Sequence, residues 1–172
     1  MTLPTDPDCY WVEPGQLLAG EYPADWTQRS ARRKLRALLD CGVRTFVDLT
    51  EEGELEPYDK WLAKEAKAAG VSVVYHRHPI RDMDVPTSDG MRTILDLVNA
   101  AIDGDAPVYV HCLGGIGRTG TVVCCWLVER GLSGDQALVK IALLREGIQK
   151  RRITSPEMPG QQEFVRSWRI DD

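Results

Sequence analysis

The chain has 172 residues, 43% of them hydrophobic, which is enough for one compact domain with a core and too little for two ordinary domains. A formal net charge of −5 argues against general affinity for nucleic acid or for anionic membranes. No apolar run is long enough to span a bilayer, and the five cysteines lack the spacing of disulfide scaffolds or zinc sites, so we expect a cytoplasmic monomer without metal or cofactor.

The first part of the chain predicts a tail, a strand and a helix. Residues 1–10 lack the apolar core of a signal peptide and are expected to form a flexible tail. Residues 11–23 contain a turn at Pro14-Gly15 and predict an edge strand that ends at Gly20. A helix follows, with Asp25 as its N-cap and its end near residue 40. We interpret its polar face as solvated, with docking of an acidic partner or a phospholipid as the alternative; this face carries Arg29, Arg32, Arg33, Lys34 and Arg36.

A strand over residues 43–49 leads into the acidic loop 51–56, which we interpret as solvated. The alternative is that this loop flanks a substrate cleft and repels acidic peptides. Pro57 predicts the start of a second helix that ends at Gly70, and residues 71–76 predict the next strand. His76 and His78 share one strand face, but no cluster of cysteines or carboxylates supports a metal site there.

The loop 79–86 is bounded by prolines and carries Asp82 and Asp84 without a helical period, which is typical of a mobile surface segment. Cleavage of a phosphate ester needs an acid to protonate the leaving oxygen, and a carboxylic acid on such a loop is suited to that task. Both residues also fit ordinary solvated loop positions. A helix with a regular apolar stripe follows and ends at Gly104.

The segment His111-Cys112-Leu113-Gly114-Gly115-Ile116-Gly117-Arg118-Thr119-Gly120 joins the strand 107–110 to an apolar helix that ends at Gly131. A glycine-rich turn at a helix N-terminus directs backbone N–H groups at an anion, and the glycines allow its close approach. The amides and the Arg118 guanidinium should favour the thiolate of Cys112, which makes it a nucleophile, and the planar fork of Arg118 suits two phosphate oxygens.

The remaining sequence predicts two further helices, the first with a capping box of Ser133 and Gln136, the second over residues 160–168. The order of elements predicts an α/β fold with a mostly parallel central sheet flanked by helices on both faces. The loop that begins at Cys112 then lies at the carboxyl ends of the strands.

His111-Cys112, Gly115 and Arg118-Thr119-Gly120 match the signature of the cysteine-dependent protein tyrosine phosphatases, and the chain resembles the small atypical dual-specificity phosphatases, which consist of a catalytic domain alone. The resemblance runs from about residue 11 to residue 164 and implies a single catalytic domain over residues 1–172.

The resemblance also implies residue roles. Asp82 matches the Pro-Ile-x-Asp pattern of the family's general acid, with Asp84 as the alternative. Thr119 stabilises the leaving thiolate, His111 orients the loop, and Gln161 occupies the spacing of a glutamine that positions water or substrate, although the preceding loop is longer than in the small relatives. The phosphate is bound by the loop residues Leu113, Gly114, Gly115, Ile116, Gly117 and Arg118.

We therefore expect a phosphomonoester hydrolase that acts through a phosphocysteine on phosphotyrosine and phosphoserine or phosphothreonine in proteins or peptides. Three alternatives stay open. One is a phosphatase of phosphoinositides or of RNA 5′-phosphates, although Leu113, Ile116 and Gly117 place no basic side chain in the loop. The others are a catalytically weak phospho-binding module and a rhodanese-type sulfur transferase.

Overall fold

A five-stranded sheet with strand order β1-β2-β5-β3-β4 lies between two groups of helices. The computed structural model describes residues 7–24 and 27–169. The strands are β1 (Cys9–Glu13), β2 (Leu17–Gly20), β3 (Thr45–Asp48), β4 (Val74–Arg77) and β5 (Val108–His111). All neighbouring strands are parallel except β1 and β2, which are antiparallel. The predicted mostly parallel sheet is therefore confirmed.

Helices cover both faces of this sheet, as predicted. They are α1 (Gln28–Asp40), α2 (Asp59–Ala69), α3 (Ser88–Asp103), α4 (Gly117–Glu129), α5 (Gly134–Leu144) and α6 (Pro159–Ser167). One apolar cluster includes Leu35 and Leu38 of α1 and Leu62 of α2. The other joins α3, α4, α5 and α6 around residues such as Trp126. No helix within the described ranges is both long and apolar enough to cross a bilayer.

The N-terminal region differs from the prediction in two respects. The segment 11–23 holds not one edge strand but parts of a hairpin, in which β1 is the edge and β2 lies between β1 and β5. Cys9 and Tyr10 belong to β1 and are buried, so the flexible tail predicted over residues 1–10 is wrong for these two positions. Residues 1–6 lie outside the described part of the chain.

The helix caps mostly follow the local sequence signals. Ser133 and Gln136 form the predicted capping box of α5, and Gly70 ends α2 in the left-handed conformation. Helix α2 begins at Asp59, two residues after the predicted start. The Thr27 hydroxyl caps α1, while the predicted cap, Asp25, lies outside the described residues.

The register of the central strands brings the candidate site together. Asp48 of β3 pairs with His111 of β5, so both strands end at the same level of the sheet. The loops that follow β3, β4 and β5 consequently leave the sheet at one edge, which is where ligands bind in open parallel sheets.

Candidate active site

The loop from Cys112 to Ile116 connects the end of β5 to the N-terminus of α4. Cys112 is buried at the start of this turn. Gly115 has φ +69°, and a Cβ there would lie 2.4 Å from the Gly20 carbonyl carbon, so both the conformation and the close packing require glycine. The loop is therefore packed directly against the end of β2.

Hydrogen bonds from the surroundings hold the loop through its carbonyl oxygens. The Tyr22 amide donates to the Leu113 carbonyl at 3.0 Å, and Lys150 Nζ donates to the Gly114 carbonyl at 3.3 Å. The Ser155 hydroxyl donates to the Ile116 carbonyl at 2.7 Å. Carbonyls that are engaged outward leave the amide N–H groups of residues 113–118 for an anion, as a helix N-terminus favours.

Arg118, in the first turn of α4, is only 1% exposed and is held by a carboxylate that the sequence does not predict at the site. Its Nη1 and Nη2 donate to the two carboxylate oxygens of Glu54 at 2.7 and 2.6 Å. Nη1 also donates to the Ile80 carbonyl at 3.1 Å. Burial disfavours the charge of Arg118, but the Glu54 carboxylate keeps its pKa above the ordinary value, so the guanidinium stays charged.

Glu54 corrects the interpretation of the loop 51–56 as merely solvated. Its side chain is four-fifths buried, and the hydrogen bonds from Arg118 hold the pKa of Glu54 below its ordinary value. The carboxylate thus engages the two Nη atoms of the guanidinium. The edge formed by Nε and Nη2 is the second fork of the planar group; its Nη2 also lies 3.1 Å from an Asp82 carboxylate oxygen, whereas its Nε has no partner among the described residues.

The second fork is where an anion can bind. Arg118 Nε and the Thr119 hydroxyl are buried, and neither has a hydrogen-bond partner among the described residues. Buried polar groups without partners are rare in proteins and need an explanation such as a bound ligand. A phosphate on the loop amides would supply an acceptor for Nε, and the thiolate of Cys112 would supply one for Thr119.

The two candidate general acids, Asp82 and Asp84, make different contacts. One carboxylate oxygen of Asp82 lies 3.1 Å from Arg118 Nη2, and the Asp82 side chain is 56% exposed, so it stands at the mouth of the site. The Asp84 carboxylate instead accepts a hydrogen bond from the Val85 amide at 2.8 Å within its own loop. Geometry therefore brings Asp82, and not the Asp84 carboxylate, to the guanidinium.

Gln161 lies where the loop of the candidate acids meets the start of α4. It is 1% exposed, and its Nε2 donates to the Asp84 carbonyl at 3.1 Å. A Cβ added at Gly117 would be 3.0 Å from both polar side-chain atoms of Gln161. The structure thus brings Gln161 to the site in spite of the long preceding loop, through the backbone of Asp84.

His111 is buried beneath the loop in a polar network. The Tyr58 hydroxyl lies 2.6 Å from His111 Nε2, and His111 Nδ1 lies 3.4 Å from the Cys112 carbonyl oxygen. Burial lowers the pKa of His111, so the imidazole is neutral near pH 7. Tyr58 then donates to Nε2, and the Nδ1–H group is directed at the Cys112 carbonyl, which agrees with a role in orienting the loop.

The described side chains form no cluster of the kind that binds a metal ion. Within residues 7–24 and 27–169, no group of three or more His, Cys, Asp or Glu side chains is placed to hold a metal ion. The positive charge at the site comes from Arg118, from the loop amides and from the N-terminus of α4.

Comparisons with known proteins agree with this geometry. The model of a family described as Tc-R-P, polymorphic toxin system, DSP-PTPase phosphatase, matches residues 22–132. The crystal structure of Tk-PTP in the active form superposes with a TM-score of 0.73 at 25% identity, covering 95% of this chain and 97% of that one.

Two curated relatives extend the comparison. Tyrosine-protein phosphatase cdc-14 of Caenorhabditis elegans is 30% identical over 88% of this chain, which spans 20% of the relative. The phosphatidylinositol 3,4,5-trisphosphate 3-phosphatase and protein-tyrosine-phosphatase PTEN1 of Arabidopsis thaliana is 25% identical over 89% of this chain, which spans 35% of the relative. The chain therefore covers well under two thirds of the length of either protein.

Proposed function

Because the chain belongs to the DSP-PTPase phosphatases, a family within the cysteine-dependent protein tyrosine phosphatase superfamily, we propose that it hydrolyses phosphomonoesters on proteins through a phosphocysteine at Cys112. The observation that carries this proposal is the convergence of Asp82 on Arg118 at 3.1 Å, beside the loop that begins at Cys112. A loop alone would bind an anion; a carboxylic acid beside it supports cleavage.

In the first step the Cys112 thiolate attacks phosphorus and a sulfur–phosphorus bond forms. The amides of residues 113–118 and the Nε edge of Arg118 bind the equatorial oxygens, where negative charge develops. The bond from phosphorus to the leaving oxygen breaks, and Asp82 gives that oxygen its proton. The products are the phosphocysteine, the free alcohol or phenol, and an ionised Asp82.

In the second step water attacks the phosphocysteine. The Asp82 carboxylate takes a proton from the water as its oxygen bonds to phosphorus, and the sulfur–phosphorus bond breaks. Inorganic phosphate leaves and the thiolate is regenerated. The Thr119 hydroxyl, which has no hydrogen-bond partner within residues 7–24 and 27–169, is available to donate to that thiolate and so to stabilise it as a leaving group.

Protein substrates are the first candidate class. The cdc-14 relative is a tyrosine-protein phosphatase, and the name of the PTEN1 relative includes a protein-tyrosine-phosphatase. A phosphoinositide is the second candidate, favoured by one observation: Lys150 donates to the Gly114 carbonyl and lies, paired with Glu21 at 2.6 Å, at the rim of a loop that has no basic side chain of its own before Arg118. The PTEN1 relative is also named for a lipid substrate.

Three variants test the mechanism with p-nitrophenyl phosphate and a phenyl phosphate with a poorer leaving group. Cys112→Ser should abolish turnover, because an alcohol is a far weaker nucleophile than a thiolate. Asp82→Asn should lower the rate for the poorer leaving group by about 100-fold or more, which is a typical contribution of a general acid. It should also remove the fall in rate at high pH that reports ionisation of the general acid. Asp84→Asn is the matched control and should retain both.

Retention of activity in Cys112→Ser, or equal losses in the two aspartate variants, contradicts the mechanism. Substrate class is tested separately by comparing phosphotyrosine, phosphoserine and phosphothreonine peptides with soluble phosphoinositides at equal concentration. A higher kcat/KM for the lipids than for every peptide would overturn the assignment to protein substrates.

A further inference from the structure

A cleft of about 730 Å³ opens directly beside the catalytic loop and leads away from it. Leu113 and Gly114 of the loop and Gln28 and Lys34 of α1 line it. Glu21 and Glu56 line it as well, and Glu21 is paired with Lys34 and Lys150, which belong to the same lining. Trp61 of α2 also lines it. The cleft therefore connects the catalytic loop with the surface of α1 and α2.

An arginine pocket adjoins this cleft, since Gln28 lines both depressions. It has a volume of about 510 Å³ and is lined by four arginines of α1: Arg29, Arg32, Arg33 and Arg36. The side chains of Arg32 and Arg36 are about half exposed. These guanidinium groups thus face a solvent-filled concavity.

A buried carboxylate organises the arginine pocket. Glu65 of α2 is 1% exposed and accepts hydrogen bonds from Arg32 Nε and from Arg36 Nη2. Burial opposes the charge of Glu65, but the two arginines hold its pKa below the ordinary value. The carboxylates of Glu65 and Asp40 line the pocket together with four arginines, so positive charge is in excess, which suits an anionic ligand.

Basic side chains are concentrated on α1 and α2. Helices α1 and α2 together carry eight basic and three acidic side chains, although the whole chain has a net charge of −5. The basic residues are Arg29, Arg32, Arg33, Lys34, Arg36, Lys60, Lys64 and Lys67. At the catalytic loop the carboxylates of Glu54 and Asp82 lie against Arg118. A substrate segment that carries negative charge is consequently attracted toward α1.

We propose that the cleft and the arginine pocket bind an acidic segment of the polypeptide that carries the scissile phosphate. The inference rests on the proposed function and adds a substrate class to it: phosphoproteins with acidic residues on one side of the phosphorylated residue. The phosphate lies on the loop, the chain runs along the cleft past Trp61, and its carboxylates reach the arginines of α1. This assigns to the basic face of α1 a role other than simple solvation.

Two features favour a polypeptide over a lipid surface as the occupant. The arginines line a concavity of about 510 Å³ together with the buried Glu65, and a concavity accepts the side chains of an extended chain better than a flat bilayer does. The carboxylates of Glu54 and Asp82 and the net charge of −5 also oppose close approach to an anionic membrane.

The test compares matched phosphopeptides that carry a run of glutamates, or of glutamines, before or after the phosphorylated residue. The variant is Arg29→Gln/Arg33→Gln, which leaves the pairs of Glu65 intact. Its control is Arg151→Gln/Arg152→Gln, which removes the same charge from exposed positions before α6. We measure kcat/KM for each peptide and for p-nitrophenyl phosphate, and the affinity of each peptide for Cys112→Ser by fluorescence anisotropy.

We expect glutamates on one side of the phosphorylated residue to raise kcat/KM and affinity, and glutamates on the other side to lower them or leave them unchanged. In the Arg29→Gln/Arg33→Gln variant, the ratio of kcat/KM for glutamate peptides to kcat/KM for glutamine peptides should be about three- to tenfold smaller than in the parent, because exposed ion pairs have modest strength. The control variant should keep the ratio of the parent. Hydrolysis of p-nitrophenyl phosphate should be equal in all three proteins, and high salt should remove the preference.

Equal kinetics and affinity for glutamate and glutamine peptides would overturn the inference, as would an equal loss in the control variant. Binding to vesicles of phosphatidylserine and phosphatidylcholine that depends on Arg29 and Arg33, without any peptide preference, would replace it with a lipid surface. The proposed function fails on a different result, namely no hydrolysis of p-nitrophenyl phosphate by the parent protein. In that case the anisotropy measurement still decides the inference.

Discussion

Substitution of Glu54 by Gln tests whether the carboxylate on Arg118 positions the guanidinium for phosphate. The change keeps the size of the side chain and one acceptor oxygen, but it removes the charge and turns an N–H donor toward an arginine N–H group. Arg118 would keep its hydrogen bond to the Ile80 carbonyl and its contact with Asp82. We expect the guanidinium to remain in the site and to lose its alignment.

The structure sets the size of the effect. Two charge-assisted hydrogen bonds of 2.7 and 2.6 Å join Glu54 to an arginine that is 1% exposed. Losing one such bond costs about 2 kcal/mol of unfolding free energy, or about 4–8 °C in Tm for a chain of this size. A displacement of about 1 Å in a catalytic site can lower the rate 100-fold, so we expect kcat/KM to fall by about 10- to 100-fold.

The assay combines thermal unfolding with kinetics on p-nitrophenyl phosphate, with Glu52→Gln as the control that removes the same charge at an exposed position of the same loop. Because Arg118 lowers the pKa of Glu54 from its ordinary value of 4.5, the stability of the pair is present above that pH and is lost as the pH falls below it. The difference in stability between parent and variant should therefore shrink in acid. Parent-like Tm and kcat/KM in Glu54→Gln would refute this reasoning.

Further predictions concern the loop and the network beneath it. Gly115→Ala should lower Tm and kcat/KM strongly, whereas Gly114→Ala should be tolerated in both measurements, because its Cβ would meet its nearest neighbour at 3.4 Å instead of 2.4 Å. Tyr58→Phe should cost about 1–3 kcal/mol in chemical denaturation by leaving His111 Nε2 without its partner. Tyr10→Phe removes a buried hydroxyl that has no partner in the described part of the chain and should be neutral or stabilising. Because burial lowers the pKa of His111, the unfolded chain binds the extra proton below about pH 6.5. Denaturation over a pH series should therefore show the parent losing stability relative to His111→Gln as the pH falls through that value.

Much of the site could be predicted because its parts are local in sequence. The turn from β5 into α4 places Cys112 and Arg118 within one short segment, so the glycines, the helix N-terminus and the arginine can be interpreted together. The capping box of α5 and the left-handed Gly70 are local in the same way. The alternation of strands and helices likewise predicts parallel strands with their carboxyl ends together.

Glu54 was missed because its partner is 64 positions away in the chain. An acidic loop is usually solvated, and no periodicity marks the one carboxylate that turns inward. The available signal was the requirement of Arg118 itself: an arginine in the first turn of an apolar helix is buried and needs an ionised partner. The β1–β2 hairpin differs from the prediction for another reason, since the sequence predicts the turn at Pro14-Gly15 but also predicts that residues 9–10 belong to a tail.

The two carboxylates on Arg118 should also be thermodynamically coupled. With Glu54 replaced, Asp82 still neutralises the guanidinium at Nη2; with Asp82 replaced, Glu54 still does so at both Nη atoms. Of the contacts that Arg118 makes with the described residues, the double variant keeps the hydrogen bonds to the carbonyls of Ile80 and Leu49, so its loss of unfolding free energy should exceed the sum of the single losses by about 1 kcal/mol.

The control double-mutant cycle combines Glu54→Gln with Asp84→Asn. The Asp84 carboxylate accepts a hydrogen bond from the Val85 amide, so the effects of these two substitutions on unfolding free energy should add within about 0.5 kcal/mol. Urea denaturation of the single and double Gln and Asn variants measures both cycles. Additivity in both would mean that Asp82 does not share Arg118 with Glu54 in solution, and the geometric reason for choosing Asp82 over Asp84 as the acid would then be lost.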